Sequence, residues 1–387
     1  MRCISSKEKN FADFELKNRK RTLNFGKNDD DEHLLSRICF YYKLEHLNLE
    51  LADDNSLITD NAIIQGFHIC PQLVTLKLSQ NDANPYLIEV ISQNFTNLKQ
   101  LCLETTLNFY VTDNHLSMLI EKLQHLESLR LAIPDIRFDC GKCFAKIGSC
   151  MKTIDWDVGL GVTVDEDLTF GENSVNLQSF SFKSFGIVNE HVMNVVNNEM
   201  PNLENLTVKM RSFDFQWLIT SNIKNLTLHV HSCINALCDQ KLTAVKNLKL
   251  SFYRNEHNSA VIVESLSNFP NVQNLEVKIK HASNKLANVV ETLGDLAHLK
   301  QFTFSHCSTS ANENQRRFLI RMVSSLPIVD NVKLVLKHLD NEDDCDLLLE
   351  NLKFIAIQRP HILFTLEHSL KEIKPFSSLG YKYVFSK

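Results

Sequence analysis

Residues 68–78 read His68-Ile69-Cys70-Pro71-Gln72-Leu73-Val74-Thr75-Leu76-Lys77-Leu78. Leu73, Leu76 and Leu78 are separated by two residues and then by one. The closing pair alternates as a strand with one buried face does. The same spacing recurs on both sides of this stretch. Toward the N-terminus it is carried by Leu44, Leu47, Leu49, with a shorter copy at Leu23 and Phe25. Toward the C-terminus it returns as Leu98, Leu101, Leu103 and Leu126, Leu129, Leu131, then in degenerate form at Met151, Ile154, Trp156 and Leu177, Phe180, Phe182. It continues through Leu203, Leu206, Val208; Ile223, Leu226, Leu228; and Val245, Leu248, Leu250. The last copies are Val272, Leu275, Val277; Leu299, Phe302, Phe304; and Val329, Val332, Leu334.

The middle apolar residue of each copy gives thirteen anchors, from Leu23 to Val332, with steps of 20 to 30 residues and a mean of about 26. That period is the one leucine-rich repeats use. Between the anchors lie apolar residues at helical spacing: Leu116, Leu119, Ile120, Leu123; Val261, Val263, Leu266; and Phe318, Leu319, Met322, Val323. Strand then helix, repeated, builds a parallel sheet on one side and helices on the other. One unit cannot cover its own apolar face, whereas stacked units can, and each fully buried leucine then contributes roughly 1.5–3 kcal/mol. Helices are wider than strands, so the stack is expected to curve with the sheet inside. The expected fold is an α/β leucine-rich-repeat solenoid, a right-handed horseshoe of about thirteen repeats. The two short steps, around Leu226, predict a turn in place of a full helix. Residues 1–22 are expected to form an N-terminal cap, 23–340 the repeats and 341–387 a closing cap, with a helix over 345–357 and strand-like Ile362, Phe364 and Leu366.

Cys70-Pro71-Gln72-Leu73-Val74-Thr75-Leu76-Lys77-Leu78 resembles the Cys-Pro-x-Leu-x-x-Leu-x-Leu junction of cysteine-containing leucine-rich repeats. Ile58-Thr59-Asp60 and Val111-Thr112-Asp113 resemble the helix starts of the same repeats, where Thr or Asp caps the helix. Both features are typical of the F-box/leucine-rich-repeat family and of the wider ribonuclease-inhibitor-like group. The resemblance implies protein recognition on a concave face. In F-box proteins it also implies substrate selection for an SCF-type ubiquitin ligase, with a separate N-terminal F-box docking on Skp1. Met1-Arg2-Cys3-Ile4-Ser5 resembles only the closing part of an F-box, and Phe11 and Phe14 follow without a Trp. The F-box is therefore missing or truncated, and contact with Skp1 and a cullin depends on such a box lying upstream. The alternative is a stand-alone binding or inhibitor module of the ribonuclease-inhibitor type.

Composition narrows the function classes. The 387 residues are 44% hydrophobic and 22% charged, with a formal net charge of −5. A general nucleic-acid binder carries a basic excess, so no nucleic-acid partner is expected. No apolar run approaches the roughly 18 residues of a membrane span. The eleven cysteines are odd in number, and the polar start of the chain holds no signal-peptide core. They read as reduced thiols, which places the protein in the cytoplasm, with the nucleus as the alternative.

Strand alternation names the side chains on the open sheet face. They include Lys77, Ser79, Cys102, Glu104, Arg130, Asp155, Asp157, Lys183, Lys209, His229, Lys249, Ser251, Glu276, Lys278 and Ser305. Asp155 and Asp157 form an acidic spot, and from Lys183 onward the series Lys183, Lys209, His229, Lys249, Lys278 turns basic. Together with Arg130 these are the candidate partner-binding residues. A continuous basic stripe would suit an acidic or phosphorylated protein segment. The competing reading is a solvated face on which lysines keep the strands soluble.

No enzyme is expected. Cys140-Gly141-Lys142-Cys143 with Cys150 is half a zinc site, and no second pair completes the four ligands. Cys143, Ile147 and Cys150 instead fall on one helical face. Asp155, Asp157 and Asp165-Glu166-Asp167 lack the glycine-bearing loop of a calcium site. Gly159-Leu160-Gly161 lacks the third glycine of a dinucleotide fingerprint. No phosphate loop, nucleophile elbow or His-Glu-x-x-His is present, so neither metal nor cofactor is called for. Lys17-Asn18-Arg19-Lys20-Arg21 has the look of an import signal, but Asp29-Asp30-Asp31-Glu32 follows at once, and exposed cap residues are the plainer reading.

Overall fold

Each copy of the apolar spacing becomes a strand, because alternation buries its two apolar residues while the backbone pairs with the copies before and after. The structure, a computed structural model, describes residues 22–25, 28–41, 44–51, 58–80, 84–105, 111–132, 141–159, 168–184, 190–218, 222–235, 241–253, 265–279, 292–306, 320–324, 326, 329–336, 350 and 363–368. It divides into two units, Met1–Leu203 and Glu204–Lys387.

In the first unit the strands are β1 (Thr22–Phe25), β2 (His46–Leu51), β3 (Thr75–Gln80), β4 (Gln100–Thr105), β5 (Ser128–Ala132), β6 (Thr153–Gly159) and β7 (Ser179–Ser184). They pair in chain order, all parallel, with anchor opposite anchor: Leu23, Leu47, Leu76, Leu101, Leu129, Ile154, Phe180. The second unit repeats this with β8 (Asn205–Asp214), β9 (Asn225–Asn235), β10 (Asn247–Phe252), β11 (Asn274–Ile279), β12 (Gln301–His306), β13 (Asn331–Leu336) and β14 (Leu363–His368). Its anchors Leu206, Leu226, Leu248, Leu275, Phe302 and Val332 are again in register. None of the thirteen anchors is more than 2% exposed. β14 pairs with β13 in the same register, Phe364 opposite Val332, so the described ladder runs one strand past the thirteen anchors. Successive parallel strands with intervening helices make this a parallel-sheet solenoid of the leucine-rich-repeat type.

Two backbone devices recur in most of the described repeats. A turn precedes the strand: the N–H of Leu73 donates to the Cys70 carbonyl at 3.3 Å, Leu98 to Phe95 at 2.9 Å, Leu203 to Met200 at 3.1 Å and Val272 to Phe269 at 3.4 Å. Pro71, Pro201 and Pro270 hold the second position of such turns, where a fixed φ near −65° is already correct. Next, two consecutive N–H groups share one carbonyl of the preceding repeat, as Lys99 and Gln100 share that of Val74, and Lys246 and Asn247 that of Lys224.

The helices of the first unit are α1 (Asp31–Phe40), α2 (Asp60–Ile69), α3 (Pro85–Asn94), α4 (Asp113–Lys122) and α5 (Glu190–Glu199). α1 to α4 pack on one another in chain order behind the sheet. Their starts follow the residue chemistry. Thr59 caps α2, its side chain accepting the Ala62 N–H at 3.3 Å. At α4 the Thr112 N–H donates to Nδ1 of His115 at 3.1 Å, so a histidine fills the place a glutamate takes in a capping box. Neighbouring repeats are pinned by carboxylates: Asp31 accepts the Thr59 N–H at 2.7 Å, and the buried Asp113 accepts the Gly141 N–H at 3.0 Å.

Two repeats depart from the helical expectation. Cys143 does not sit on an α-helix running to Cys150. It lies in a 3-10 turn, Lys142–Lys146, and a second such turn, Glu172–Asn176, follows. A 3-10 turn is narrower than an α-helix, and large rings fill the difference. Phe144 stacks on Phe170 at 4.9 Å and meets Trp156 edge-on at 4.8 Å, while Trp156 also leans on Phe182 at 5.1 Å. The short step after β8 does replace a helix, with a 3-10 turn at Phe215–Trp217 that sets Trp217 edge-on to Phe213 at 5.8 Å. Of the expected caps 1–22 and 341–387, residues 1–21, 341–349, 351–362 and 369–387 lie outside the described residues, as do 254–264 and 311–319 with Val261, Val263, Phe318 and Leu319.

Gly141 joins the aromatic cluster to the Asp113 pin. Its φ is +109°, and an added Cβ would lie 2.6 Å from Leu168 Cδ1 and 2.9 Å from Trp156 Cη2. Gly141→Ala is expected to lower unfolding free energy by about 2–3 kcal/mol, from the strained φ and the clash together. Urea unfolding followed by far-ultraviolet circular dichroism checks this, and a variant as stable as the wild type would contradict the described packing.

Candidate functional site

The open face of each sheet carries three rows of side chains, one for each outward position of the strand. In the first unit these side chains are largely engaged with each other. Lys77 Nζ lies 2.9 Å from Glu50 Oε1. Arg130 bridges two carboxylates, with Nε 2.6 Å from Glu104 Oε1 and Nη1 2.5 Å from Asp155 Oδ2. Lys183 Nζ closes the group at 3.1 Å from Asp155 Oδ1. Asp155 is thus held between two cations rather than forming an open acidic spot. Asp157 sits on the next outward position of β6, opposite Lys183 and Ala132 in register.

The second unit is arranged differently. At the first outward position stand Asn205, Asn225, Asn247 and Asn274, opposite one another. They form an amide ladder: Asn225 Nδ2 donates to Asn205 Oδ1 at 2.5 Å, Asn247 to Asn225, and Asn274 to Asn247. A shallow groove of about 250 Å³ runs along this ladder, with Thr227, Lys249, Glu276 and Thr303 on its other side. The middle row pairs Lys249 with Glu276, Nζ to Oε1 at 2.8 Å. The third row reads Lys209, His229, Ser251, Lys278, each opposite the next.

The candidate basic residues therefore do not form one stripe. Lys183 belongs to the first unit and is tied to Asp155. Lys249 lies one row away from Lys209, His229 and Lys278 and is tied to Glu276. His229 carries no charge at neutral pH: burial, then Lys249, Lys209 and Lys278, bring its pKa down to about 4 against a partial upward pull from Glu276. Ser79, Ser251 and Ser305, expected to face solvent, are no more than 9% exposed. A short side chain between longer ones on both adjacent strands is covered by them. Ser251 stands between His229 and Lys278.

Sequence reasoning listed Glu104, Ser251 and Glu276 on the open face but assigned them no part in the site, and it left out Tyr253, against which His231 stacks at 4.4 Å. Asn recurring at the same place before the anchor was a visible signal for the ladder. For Glu104 and Glu276 the signal was weaker, since their partners lie 26 and 27 residues away at variable steps.

The buried cysteines among the described residues, Cys70 and Cys143, are packing groups. Cys70 donates to the Gly66 carbonyl at 3.1 Å, and burial pushes its thiol up to about 12. Cys143 is buried beside Phe144. Cys140, Leu160, Gly161, Asp165, Glu166 and Asp167 lie outside the described residues, as does the basic run Lys17–Arg21. Among the described residues no group of three or more His, Cys, Asp or Glu is arranged to hold a metal ion. Nor is any described helix long and apolar enough to cross a membrane.

No protein-family model matches the chain, and no curated protein matches it. Among solved structures it is similar to the leucine-rich repeat-containing protein LegL7 from Legionella pneumophila, with a TM-score of 0.40 and 13% identity over 75% of this chain and 94% of that one. The solenoid assignment rests on the register within each unit.

Two predictions follow from these charges. Arg130→Met leaves Glu104 and Asp155 without their shared cation and is expected to cost about 1 kcal/mol of stability, less at high salt. Urea midpoints at low and high sodium chloride measure it, and a loss independent of salt would contradict the ion network. For His229, whose pKa falls from 6.5 to about 4, the ring is neutral in both folded and unfolded chains at neutral pH. As pH drops from about 6.5 toward about 4 the unfolded chain takes up a proton that the fold excludes, so stability is lost in that window. His229→Gln should flatten this loss, and equal pH slopes for wild type and variant would show that His229 titrates normally.

Proposed function

We propose that this protein is a non-catalytic recognition scaffold whose open sheet face receives a protein partner. One observation carries the proposal. In both units the sheet backbone is paired strand to strand, while the outward side chains are fixed by ladders and ion pairs, so the face presents preorganised polar groups over many strands. No cluster with catalytic spacing competes with this on the described face.

The finer reading concerns partner chemistry. The second unit shows more lysines than acids on its described outward positions, which suits an acidic or phosphorylated segment. Arg130, Asp155, Asp157 and Lys183 on the first unit, and Lys209, His229, Lys249 and Lys278 on the second, are the residues proposed to meet the partner. The resemblance of the Cys70–Leu78 junction supports a setting in substrate selection for a ubiquitin ligase, with Skp1 and a cullin reached through an upstream F-box. The alternative remains a stand-alone module of the ribonuclease-inhibitor type. A cytoplasmic or nuclear location suits either setting.

The test is affinity capture of the full chain with quantitative mass spectrometry, in wild type and in Lys183→Glu/Lys209→Glu/Lys249→Glu. Lys122→Glu/Lys146→Glu, on the helix side, is the control. The face variant is expected to lose its principal partner by about tenfold or more, while the control keeps it. Retention by both would overturn the sheet-face assignment, and recovery of Skp1 with a cullin separates the ligase setting from the stand-alone one.

A further inference from the structure

The first outward row of the second unit runs further than its hydrogen bonds do. Asn205, Asn225, Asn247 and Asn274 are followed in register by Gln301 and Asn331, so six successive strands place a carboxamide at the same position. The ladder bonds use only part of what these groups offer. A carboxamide has two N–H donors and two acceptor lone pairs. Asn225 and Asn247 each give one N–H and one lone pair to the ladder, and Asn274 gives one N–H. The amide of the exposed Gln301 has no hydrogen bond among the described residues, and neither have the half-buried hydroxyls of Thr227 and Thr303. All of these side chains line the shallow groove.

Donors and acceptors repeated along a groove match a peptide main chain, in which each unit offers one N–H and one carbonyl. The rest of the lining disfavours other occupants. Leu226, Leu248 and Leu275 are buried anchors, so the groove gives an apolar side chain nothing to pack on. Its one lysine, Lys249, is paired with its one carboxylate, Glu276, at 2.8 Å, which suits an uncharged backbone better than a string of phosphates. Among the described lining residues there is no ring on which a nucleobase could stack.

Spacing selects the conformation of that main chain. Strands lie about 4.8 Å apart, so every second amide recurs at about 9.6 Å. A polyproline-II chain repeats its edge every three residues, at about 9.3 Å. A β-strand repeats its edge every two residues, at about 6.7 Å, and falls out of step with the row. The groove crosses the four strands β9 to β12, a span of about 14 Å, which about five polyproline-II residues cover. Polyproline II has no internal hydrogen bonds and is a major conformer of unfolded chains, so its backbone groups are open and little order is lost on binding.

We infer that Asn225, Asn247, Asn274 and Gln301 hold the main chain of a polar, unfolded segment of the protein partner, laid across the strands in the polyproline-II conformation. Thr227 and Thr303 offer further bonds along its other side. The inference rests on the sheet-face reading above and adds how the partner's backbone is held there.

The test is fluorescence anisotropy of the full chain with three labelled pools of heptapeptides built from degenerate uncharged polar residues. The first has proline at its second and fifth positions, which favours polyproline II and leaves N–H groups on the other two edges of the helix. The second has valine there, which favours a β-strand. The third is the first with its other backbone nitrogens methylated. The first pool should bind about fivefold tighter than the second and at least about tenfold tighter than the third. Gln301→Ala should weaken it by about threefold and Asn274→Ala by about fivefold, with circular dichroism unchanged. Gln301 is exposed and takes no part in the ladder bonds, so its variant keeps the test valid if Asn274→Ala loosens the sheet. Equal binding of the first and second pools, or of the first and third, would overturn the inference. So would the absence of saturable binding by any pool, or an affinity unmoved by Asn274→Ala/Gln301→Ala. Displacement by a single-stranded oligonucleotide at lower concentration than by the unlabelled first pool would overturn the assignment to a protein. If Asn274→Ala/Gln301→Ala retains the captured partner while the triple lysine reversal loses it, the ladder is not the seat and the sheet-face reading stands. If both retain it, the sheet-face reading fails as well.

Discussion

No repeat of this chain can be stable alone, and that constraint shapes everything else. A strand such as Thr75–Gln80 buries Leu76 and Leu78 only because Leu47 and Leu49 lie opposite on one side and Leu101 and Leu103 on the other. Its backbone groups are satisfied only by the same neighbours. Register and burial are therefore one condition, since a one-residue slip would turn every leucine outward. The shared carbonyls at the start of most described strands fix that register before the core begins. Outward rows, and so the candidate binding face, are set by what the interior requires.

The two units use the same backbone and reach different electrostatic outcomes. On the first, Arg130 and Lys183 are consumed by Glu104 and Asp155, giving a stiff and locally balanced surface. On the second, asparagine amides take the first outward row, one ion pair joins Lys249 to Glu276, and the third row holds lysines around neutral groups. Such ion pairs at the surface contribute little to stability. Their importance lies in fixing which side chains are already engaged and which can turn toward a partner.

Much of this fold was legible because the core is periodic. Leu47, Leu76 and Leu101 announce strands by spacing alone, and Thr59 and Thr112 announce helix starts by chemistry. The 3-10 turn at Lys142–Lys146 was not legible, because Cys143, Ile147 and Cys150 imitate a helical face. What decides it is the volume of Phe144, Phe170 and Trp156, which meet only in three dimensions. The candidate site was half legible. Alternation found Lys209, His229 and Lys278, but a lysine's partner a full repeat away cannot be read when the repeat varies by several residues. Nor can it be read that Ser251 is covered, because its cover comes from side chains of two other strands.

The two tryptophans fall one to each unit, Trp156 at the centre of the first unit's aromatic cluster and Trp217 against Phe213 in the second. Each half therefore carries its own intrinsic fluorophore, in surroundings that unfolding would change. Replacing either by phenylalanine yields a protein whose emission follows one half alone. In a chain where each repeat leans only on its neighbours, that pair of optical signals distinguishes melting in a single step from melting that begins in one half and spreads.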